Sequence, residues 1–274
     1  MVTELAPAKV NLFLHVGRVK ANGRHDLDSL VVFAGEEAAD LVRAEPKDAF
    51  HFTAIGIDQD SDNLVVQAAQ ALREAAGVEA DVAIDLEKQL PIAAGIGGGS
   101  ADAGATLRAL TTLWGLDVAV AEAVAPGLGG DVPAALLSET CLMRGEGERI
   151  APVGLPAPLP AVLVNPGAAC GTGAVFGAFD AAGGGALFAE AAFPTFPAGS
   201  NDLEAAARQV QPAVADVLDA LEELDGALLT RMSGSGATCF ALYDTLEMAR
   251  AAEETILAAH PGWWARATML GGAR

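Results

Sequence analysis

Basic residues are scarce in this chain, and the shortage limits its possible partners. The 274 residues include 36 acidic and only 16 basic side chains, which gives a formal net charge of −20. A chain this acidic repels nucleic acid and anionic membrane surfaces, so we expect neither as a partner. The chain has four lysines, at Lys9, Lys20, Lys47 and Lys88, so no P-loop with its Gly-Lys-Ser/Thr signature exists after residue 88.

Cysteine is also rare. Cys141, Cys170 and Cys239 are odd in number and far apart, which argues against a disulfide framework and against the usual metal-ligand spacings. We interpret them as reduced thiols of a cytosolic protein. The N-terminus lacks a basic region followed by an apolar run, and no stretch of about 20 residues is free of charges and glycine breaks. The sequence therefore predicts a soluble cytoplasmic chain.

Glycine, in contrast, is concentrated in one segment that predicts a phosphate-binding loop. Gly95 and the run 97–99 precede Ser100 and Asp102, where a helical pattern begins. Glycines let backbone N–H groups converge on an anion, and a helix N-terminus adds partial positive charge. The segment fits neither familiar glycine motif, because the P-loop lysine is missing and Ser100 stands where a dinucleotide-binding loop has glycine. A plain flexible loop is the alternative.

Proline density predicts a domain boundary. Four prolines between residues 152 and 160 exclude a helix and suit a crossing between domains, so we divide the chain into 1–152 and 153–274. Before the boundary, a helix capped by 61–63 is expected to end at Gly77, followed by a strand over 81–87. After it, the patterns predict an α+β layer with helices on one face of an antiparallel sheet. Its strands are predicted at 161–164, 227–232, 238–243 and 264–270, and its helices after 200–202, from Pro212 to near Gly226 and over 244–259.

Two residues near the N-terminus and one in a glycine turn are candidates for chemistry. Lys9 and Asn11 alternate along an apolar strand and are expected on the same side of it. Asp131 lies in a tight turn before a helix that accepts proline in its first turn. The alternatives are a surface lysine on an edge strand and a simple helix N-cap.

Three further segments allow two readings each. His25 follows a turn at Asn22 and Gly23, where a solvated surface histidine is the usual finding. The turn 233–236 is either a second anion contact or a hairpin turn with glycines at positive φ. Phe176 is more often a core residue than a platform for a ligand.

Taken together, the motifs resemble those of the GHMP small-molecule kinases. The resemblance implies a two-domain α+β fold, with an N-terminal domain like ribosomal protein S5, a ferredoxin-like C-terminal domain and the site between them. The matching segments follow the family order and span nearly the whole chain: 6–12, 22–27, 62–64, 91–103, 128–133, 200–203 and 232–237.

The resemblance also implies a chemistry. A hydroxyl of the acceptor would attack the γ-phosphorus of ATP, with Asp131 as the general base. Lys9 would orient that hydroxyl and keep Asp131 ionised, and Mg²⁺ would offset the phosphate charge. The residues implied in ATP binding are Asn63, Pro91, Ala94, Gly95, Ile96, Gly97, Gly98, Gly99, Ser100 and Ala101.

The acceptor that the resemblance implies is a methylerythritol linked to cytidine diphosphate, phosphorylated on its 2-hydroxyl in isoprenoid precursor biosynthesis. Arg24 and His25 would contact the cytosine, and Asn11, Thr172 and Phe176 would line that pocket. The alternatives are a kinase of the same family for another small alcohol and a ligand-binding relative without catalysis. The retention of both Lys9 and Asp131 argues against the second alternative.

The chain departs from the family pattern in three regions. Arg24 replaces a tyrosine, although a guanidinium plane can also stack on a base. In the phosphate-binding and base-bearing loops, Ala93 and Ala94 replace glycines, Ala101 replaces a serine and Gly130 replaces an alanine.

Overall fold

The computed structural model describes residues 1–57, 63–185 and 199–272, which form three four-stranded sheets with helices around them. The strands are β1 (Val2–Pro7), β2 (Lys9–Val19), β3 (His25–Phe33), β4 (Ala39–Pro46), β5 (His51–Ile55), β6 (Val82–Glu87), β7 (Cys141–Gly145), β8 (Arg149–Pro152), β9 (Leu159–Asn165), β10 (Leu229–Met232), β11 (Cys239–Leu242) and β12 (Trp264–Leu270). The α-helices are α1 (Leu64–Ala76), α2 (Gly98–Trp114), α3 (Val118–Leu128), α4 (Val132–Leu137), α5 (Thr172–Ala181), α6 (Glu204–Val210), α7 (Ala213–Glu222) and α8 (Leu246–Ala259).

The first sheet has the order β1-β4-β6-β5, with β5 and β6 parallel and the other pairs antiparallel. Parallel neighbours need a crossover, and α1 lies in the connection between them. As predicted, this helix ends at Gly77, which has φ of +63°. Its first turn is capped by Asn63, whose side chain accepts the N–H of Val65. The other two residues of the predicted cap, 61 and 62, lie outside the described residues.

The second sheet, β2-β3-β7-β8, is antiparallel and has β2 at one edge. Loops cover that edge: the N–H of Lys9 donates to the carbonyl of Ile96 over 2.9 Å, and the N–H of Leu14 donates to Ser200 over 2.9 Å. Covering the edge satisfies its backbone groups and removes it from solvent. Lys9 and Asn11 are consequently buried, which rules out the surface-lysine reading.

The third sheet, β10-β11-β9-β12, is antiparallel throughout and contains the four predicted strands of the C-terminal half. Helices α6, α7 and α8 confirm the three predicted helices of this half. The helix α5 was not predicted as a defined element. The strand order, with its two helix-containing crossovers, matches the ferredoxin-like topology.

Alternate residues of the third sheet enter two different cores. Val162 and Val164 of β9 pack among residues of α5 to α8. Their neighbours Ala161 and Leu163 pack with Leu12 and Leu30 of the second sheet. A strand buried on both faces reads as a continuous apolar run, as this one does. The third sheet therefore joins the second sheet to the C-terminal helices, and the proline-rich segment connects β8 to β9.

All three cysteines are buried and unpaired, as predicted. Burial raises the pKa of the Cys141 thiol to about 11 and that of Cys239 well above its ordinary value. Both thiols are therefore protonated and unreactive at neutral pH. Separately, none of the helices in the described ranges is both long enough and apolar enough to cross a membrane.

Candidate functional site

A central cavity of about 570 Å³ lies where the second sheet, the glycine loop and the C-terminal elements meet. Its lining includes most of the residues that the sequence singled out: Lys9, Asn11, Ala94, Gly95, Gly97, Gly98, Gly99, Ser100, Asp131, Thr172, Phe176 and Ser235. Segments that are far apart in the chain thus converge on one space.

An ion pair lies at the wall of this cavity. The ammonium Nζ of Lys9 is 3.2 Å from Oδ1 and 3.1 Å from Oδ2 of Asp131. Asp131 stands at the N-cap position of α4, but its side chain makes no capping hydrogen bond. The simple N-cap reading is therefore wrong, and the carboxylate is directed at Lys9. Lys9 is almost fully buried, whereas the side chain of Asp131 is 35% exposed and accessible to a ligand.

The glycine loop passes directly beside this ion pair. A Cβ placed on Gly97 would lie 3.5 Å from Cε of Lys9 and 3.7 Å from Oδ2 of Asp131. Gly97 itself has φ of +65° and precedes the first turn of α2. The N–H groups of a first helical turn have no partner within the helix. The first turn of α2 therefore brings backbone donors and a helix N-terminus close to the carboxylate.

The side chains of the other residues implied in ATP binding do not all face the cavity. Ile96 and Ala101 have their side chains in the hydrophobic cores, so that only their backbones could meet a ligand. Pro91 begins the loop and is half-buried. Asn63 uses its side-chain oxygen to cap α1, while the next residue, Leu64, lines the cavity.

The turn 233–236 supports the glycine loop from the C-terminal side. A Cβ on Gly95 would lie 2.5 to 2.8 Å from backbone atoms of Gly236 and Ser233, so only glycine permits this approach. The N–H of Thr238 also donates to the carbonyl of Ala94 over 3.0 Å. The turn does connect two strands, as the hairpin reading proposed, and it also lines the cavity through Gly234 and Ser235.

Asn201 holds this turn in place. Its buried Nδ2 donates to the carbonyls of Met232 and Gly234, each over 2.8 Å. The sequence predicted a helix start at 200–202 and gave 200–203 as one of the segments matching the family pattern, but it assigned no role to Asn201. An asparagine rather than a serine before that helix was the available signal, because an amide nitrogen can donate two hydrogen bonds and a hydroxyl only one.

A second cavity, of about 460 Å³, adjoins the first and shares Phe176 with it. Its lining includes Arg24, His25 and Asp180. His25 is buried, its ring centroid lies 4.9 Å from that of Phe176, and its Nε2 is 2.9 Å from Oδ1 of Asp180. Because a carboxylate only accepts, Nε2 carries the hydrogen and the ring orientation is fixed. The solvated-histidine reading is therefore wrong.

Arg24 lies at the rim of the second cavity beside Glu146, which lines both cavities. A guanidinium nitrogen of Arg24 is 3.4 Å from one carboxylate oxygen, and Lys20 is 2.9 Å from the other. Hydrogen bonds from Lys20 and Asn22 lower the pKa of Glu146. Sequence reasoning missed both Glu146 and Asp180, because each meets its partner from more than 100 residues away.

Asn11 lines the central cavity and has a buried acceptor that is not used within the protein. Its Nδ2 donates to Oγ of Ser29 over 2.8 Å, and that hydroxyl donates to the carbonyl of Phe13 over 2.6 Å. This chain of donors assigns the amide orientation and leaves Oδ1 of Asn11 buried without a partner among the described residues. Buried acceptors are normally satisfied, so this unpartnered oxygen is a candidate for contact with a ligand.

The described ranges contain no group of three or more His, Cys, Asp or Glu side chains that could hold a metal ion. Among the described residues, the charged side chains that line the cavity are Lys9, Asp131 and Glu146, and the N-terminus of α2 adds partial positive charge. Such a site can bind a polyanion through backbone donors and take a proton at Asp131.

Two family models match the chain, one on each side of residue 152. The model of the GHMP kinases N terminal domain matches residues 63–139, and that of the GHMP kinases C terminal matches residues 178–261.

Curated relatives are similar over their whole length. A protein named 4-diphosphocytidyl-2-C-methyl-D-erythritol kinase from Hyphomonas neptunium is 51% identical over 288 residues, covering 98% of this chain and 96% of that protein. A protein of the same name from Parvibaculum lavamentivorans is 44% identical over 292 residues, covering 99% of each.

Solved structures show the same likeness. The crystal structure of a 4-(cytidine 5'-diphospho)-2C-methyl-D-erythritol kinase matches with a TM-score of 0.81 at 35% identity, over 99% of this chain and 100% of that one. The L. major mevalonate kinase in complex with R-mevalonate matches with a TM-score of 0.68 at 16% identity, over 100% and 97%. The latter shares the fold.

Proposed function

The chain belongs to the GHMP kinase family, and on that premise we propose that it transfers the γ-phosphoryl group of ATP to the 2-hydroxyl of 4-diphosphocytidyl-2-C-methyl-D-erythritol. The observation that carries the proposal is the full-length similarity to kinases of that name at 43% identity and above. The paired cavities support it, because a substrate with a nucleobase at one end and a reacting hydroxyl at the other needs two adjoining spaces.

The triphosphate lies along the glycine loop in this proposal. Gly95, the run 97–99 and Ser100 present backbone donors, and the N-terminus of α2 favours the negative charge. Pro91, Ala94, Ile96 and Ala101 shape the same loop, and Asn63 lies at the start of α1 next to Leu64. ATP is taken up as its Mg²⁺ complex, so that the metal arrives on the phosphate oxygens as part of the substrate.

The acceptor hydroxyl lies between Asp131 and the γ-phosphorus. As the new oxygen–phosphorus bond forms, the hydroxyl proton passes to the carboxylate of Asp131, and the bond from the γ-phosphorus to the bridging oxygen breaks. The electron pair of that bond leaves with ADP. Lys9 holds Asp131 in position at 3.1 Å and contributes positive charge beside the reacting oxygens.

The second cavity takes the cytosine. Phe176 and the fixed ring of His25 pack against each other in the wall of this cavity, and the base would stack on their exposed surfaces, while Arg24 borders the cavity from the solvent side. Thr172, whose hydroxyl is 3.0 Å from that of Ser235, lines the central cavity together with Phe176. Asn11 accepts a hydroxyl hydrogen of the methylerythritol. We also propose that the two domains divide at residues 152 and 153, and that the enzyme works in the reducing cytoplasm, where its three thiols stay free.

The experiment that tests the function is ADP release by the purified protein with MgATP and one acceptor at a time. The acceptors are 4-diphosphocytidyl-2-C-methyl-D-erythritol, mevalonate, homoserine and galactose. We expect turnover only with the cytidine-linked compound. Turnover with one of the other alcohols would refute the proposed substrate and leave the family chemistry in place, whereas no turnover with any of them would refute the proposed acceptor chemistry.

A further inference from the structure

Three charged side chains form a buried cluster next to the glycine loop, outside the lining of the central cavity. The ammonium of Lys88 pairs with the carboxylate of Asp40 and lies 2.8 Å from Oδ2 of Asp102. The side chains of Lys88, Asp40 and Asp102 are 7%, 0% and 4% exposed. These three residues are called the Lys88 cluster below.

Lys88 and Asp102 come from the two ends of the loop, and Asp40 comes from β4. Lys88 directly follows β6, and Oδ1 of Asp40 accepts the N–H of Gln89 over 2.5 Å and that of Leu90 over 2.8 Å, where the loop begins. Asp102 is the fifth residue of α2, where the loop has ended. The cluster therefore ties β4, the entry of the loop and the start of the helix to one another.

The cluster also touches the backbone that lines the cavity. A Cβ placed on Gly98 would lie 3.4 Å from Nζ of Lys88 and 4.0 Å from Oδ2 of Asp40. Gly98 and Gly99 line the central cavity on the other side of this backbone. A shift of the Lys88 ammonium would therefore shift the N–H groups that face the phosphates.

Stability alone is a poor explanation for such a cluster. Two carboxylates and one ammonium are expensive to remove from water, and apolar residues of similar volume commonly serve at least as well. Oδ1 of Asp102 is also buried without a partner among the described residues. Burial raises the pKa of Asp102 to about 7, while the charge of Lys88 opposes this. The arrangement gives directional contacts that an apolar core would lack.

We infer that Lys88 is a positioning residue for the nucleotide: through Asp40 and Asp102 it fixes the entry of the glycine loop relative to the start of α2, and so directs the loop N–H groups at the ATP phosphates. This inference rests on the nucleotide site of the proposed function. Lys88 itself does not touch the reacting atoms.

Two double variants test the inference without changing the formal charge of the cluster, which is −1 with both carboxylates ionised. Lys88→Met with Asp40→Asn keeps an acceptor for the N–H groups of Gln89 and Leu90. Lys88→Gln with Asp102→Asn keeps the direct hydrogen bonds of Asp40 to the loop. Calorimetry measures the Kd of ADP, and steady-state kinetics measures kcat and the KM of each substrate.

In both variants we expect ADP to bind about tenfold more weakly and the KM of ATP to rise about tenfold, because small displacements of positioned donors are costly. The kcat at saturating ATP and the KM of the acceptor should stay within twofold. A general loss of structure would change all four values. A change confined to the Kd of ADP and the KM of ATP therefore indicates that the cluster positions the nucleotide-binding loop.

The matched control is Arg43→Met with Glu87→Gln. This pair, at 3.4 Å, joins the same strands β4 and β6, and Glu87 directly precedes Lys88, but both side chains of the pair are about 39% exposed. The control should leave the Kd of ADP unchanged.

The outcomes separate the inference from the proposed function. A folded variant of the Lys88 cluster that binds ADP within twofold of the native protein overturns the inference. If neither variant unfolds cooperatively, the cluster is required for folding, and the inference is overturned as well. If the native protein binds neither ADP nor ATP, the proposed function fails instead.

Discussion

At the scale of single residues, two polar side chains of the site lack the hydrogen bond that their position would normally give them. Asp131 has the position of a helix cap without the capping bond, and Asn11 has a buried oxygen without a donor. The unpaired oxygen of Asn11 costs free energy in the free protein, whereas the carboxylate of Asp131 is paired with Lys9 and 35% exposed. In the proposed function both groups contact a substrate hydroxyl.

Asp131→Asn should reduce kcat by at least about a thousandfold, because an amide cannot take the hydroxyl proton. The Kd of ADP should stay within about threefold, since the backbone donors of the loop remain. Stopped or quenched assays of ADP formation measure the first value and calorimetry the second. Asp26→Asn, at an exposed partner of Lys20, is the control and should behave like the native enzyme. Native-like turnover in Asp131→Asn would refute the base assignment.

Asn11→Leu should raise the KM of the acceptor by about tenfold, because the unused Oδ1 would no longer meet the substrate hydroxyl. Ser29→Ala is the control, since it removes the partner at the other end of the same amide and leaves Oδ1 in place. That control should affect stability more than the KM. Equal changes of the acceptor KM in both variants would mean that Oδ1 has no role of its own.

Asp102 should make stability depend on pH. Its pKa is raised in the folded protein to about 7, so the native state binds more protons than the unfolded state between about pH 4 and 7. The free energy of unfolding should therefore fall as pH rises through this range and then level off. Relative to Asp102→Asn, the native protein should lose roughly 2 to 4 kcal/mol. Urea titrations at several pH values measure this, and a difference that stays constant with pH contradicts it.

At the scale of elements, the sequence predicted those helices and strands that depend on local sequence patterns. Apart from α5, the strands and helices after residue 160 follow from apolar runs, alternation and 3.6-residue periodicity, and the end of α1 follows from Gly77. The contacts that complete the site are long-range. Lys88 meets Asp40 from 48 residues away, and His25 meets Asp180 from 155 residues away. A local sequence pattern cannot predict a contact between such distant residues. The family resemblance predicted only residues that lie within the matching motifs.

At Ala93 the backbone conformation of the glycine loop does not suit the residue type. It has φ of +53°, in the left-handed region that favours glycine. Ala93→Gly should remove this strain and stabilise the protein by about 0.5 to 1 kcal/mol, after the greater freedom of glycine in the unfolded chain is subtracted. Thermal unfolding measures the change. The control Ala94→Gly, at a neighbour without positive φ, should destabilise, and stabilisation by both substitutions would contradict the strain argument.

At the scale of the whole molecule, the site must attract anions to a strongly acidic protein. The chain carries a net charge of −20, and ATP and a diphosphate-linked acceptor are both negative. The positive groups around the cavities are few: Lys9 is paired with Asp131, and Lys20 and Arg24 share Glu146. Binding therefore relies on short-range backbone donors, while the long-range field of the protein opposes the approach of its substrates.

The rate of ATP capture should consequently rise with salt. The Debye length falls from about 30 Å at 0.01 M to about 8 Å at 0.15 M, which screens the distant carboxylates but not the contacts within the cavity. We expect kcat/KM for ATP to increase about two- to threefold over this range, with kcat nearly unchanged, in steady-state assays at constant free Mg²⁺. A neutral osmolyte at matched osmolarity is the control and should have no such effect. A decrease of kcat/KM with salt would show instead that the cations beside Glu146 and Asp131 dominate the field at the cavity mouth, and that the net charge of the chain does not govern the encounter.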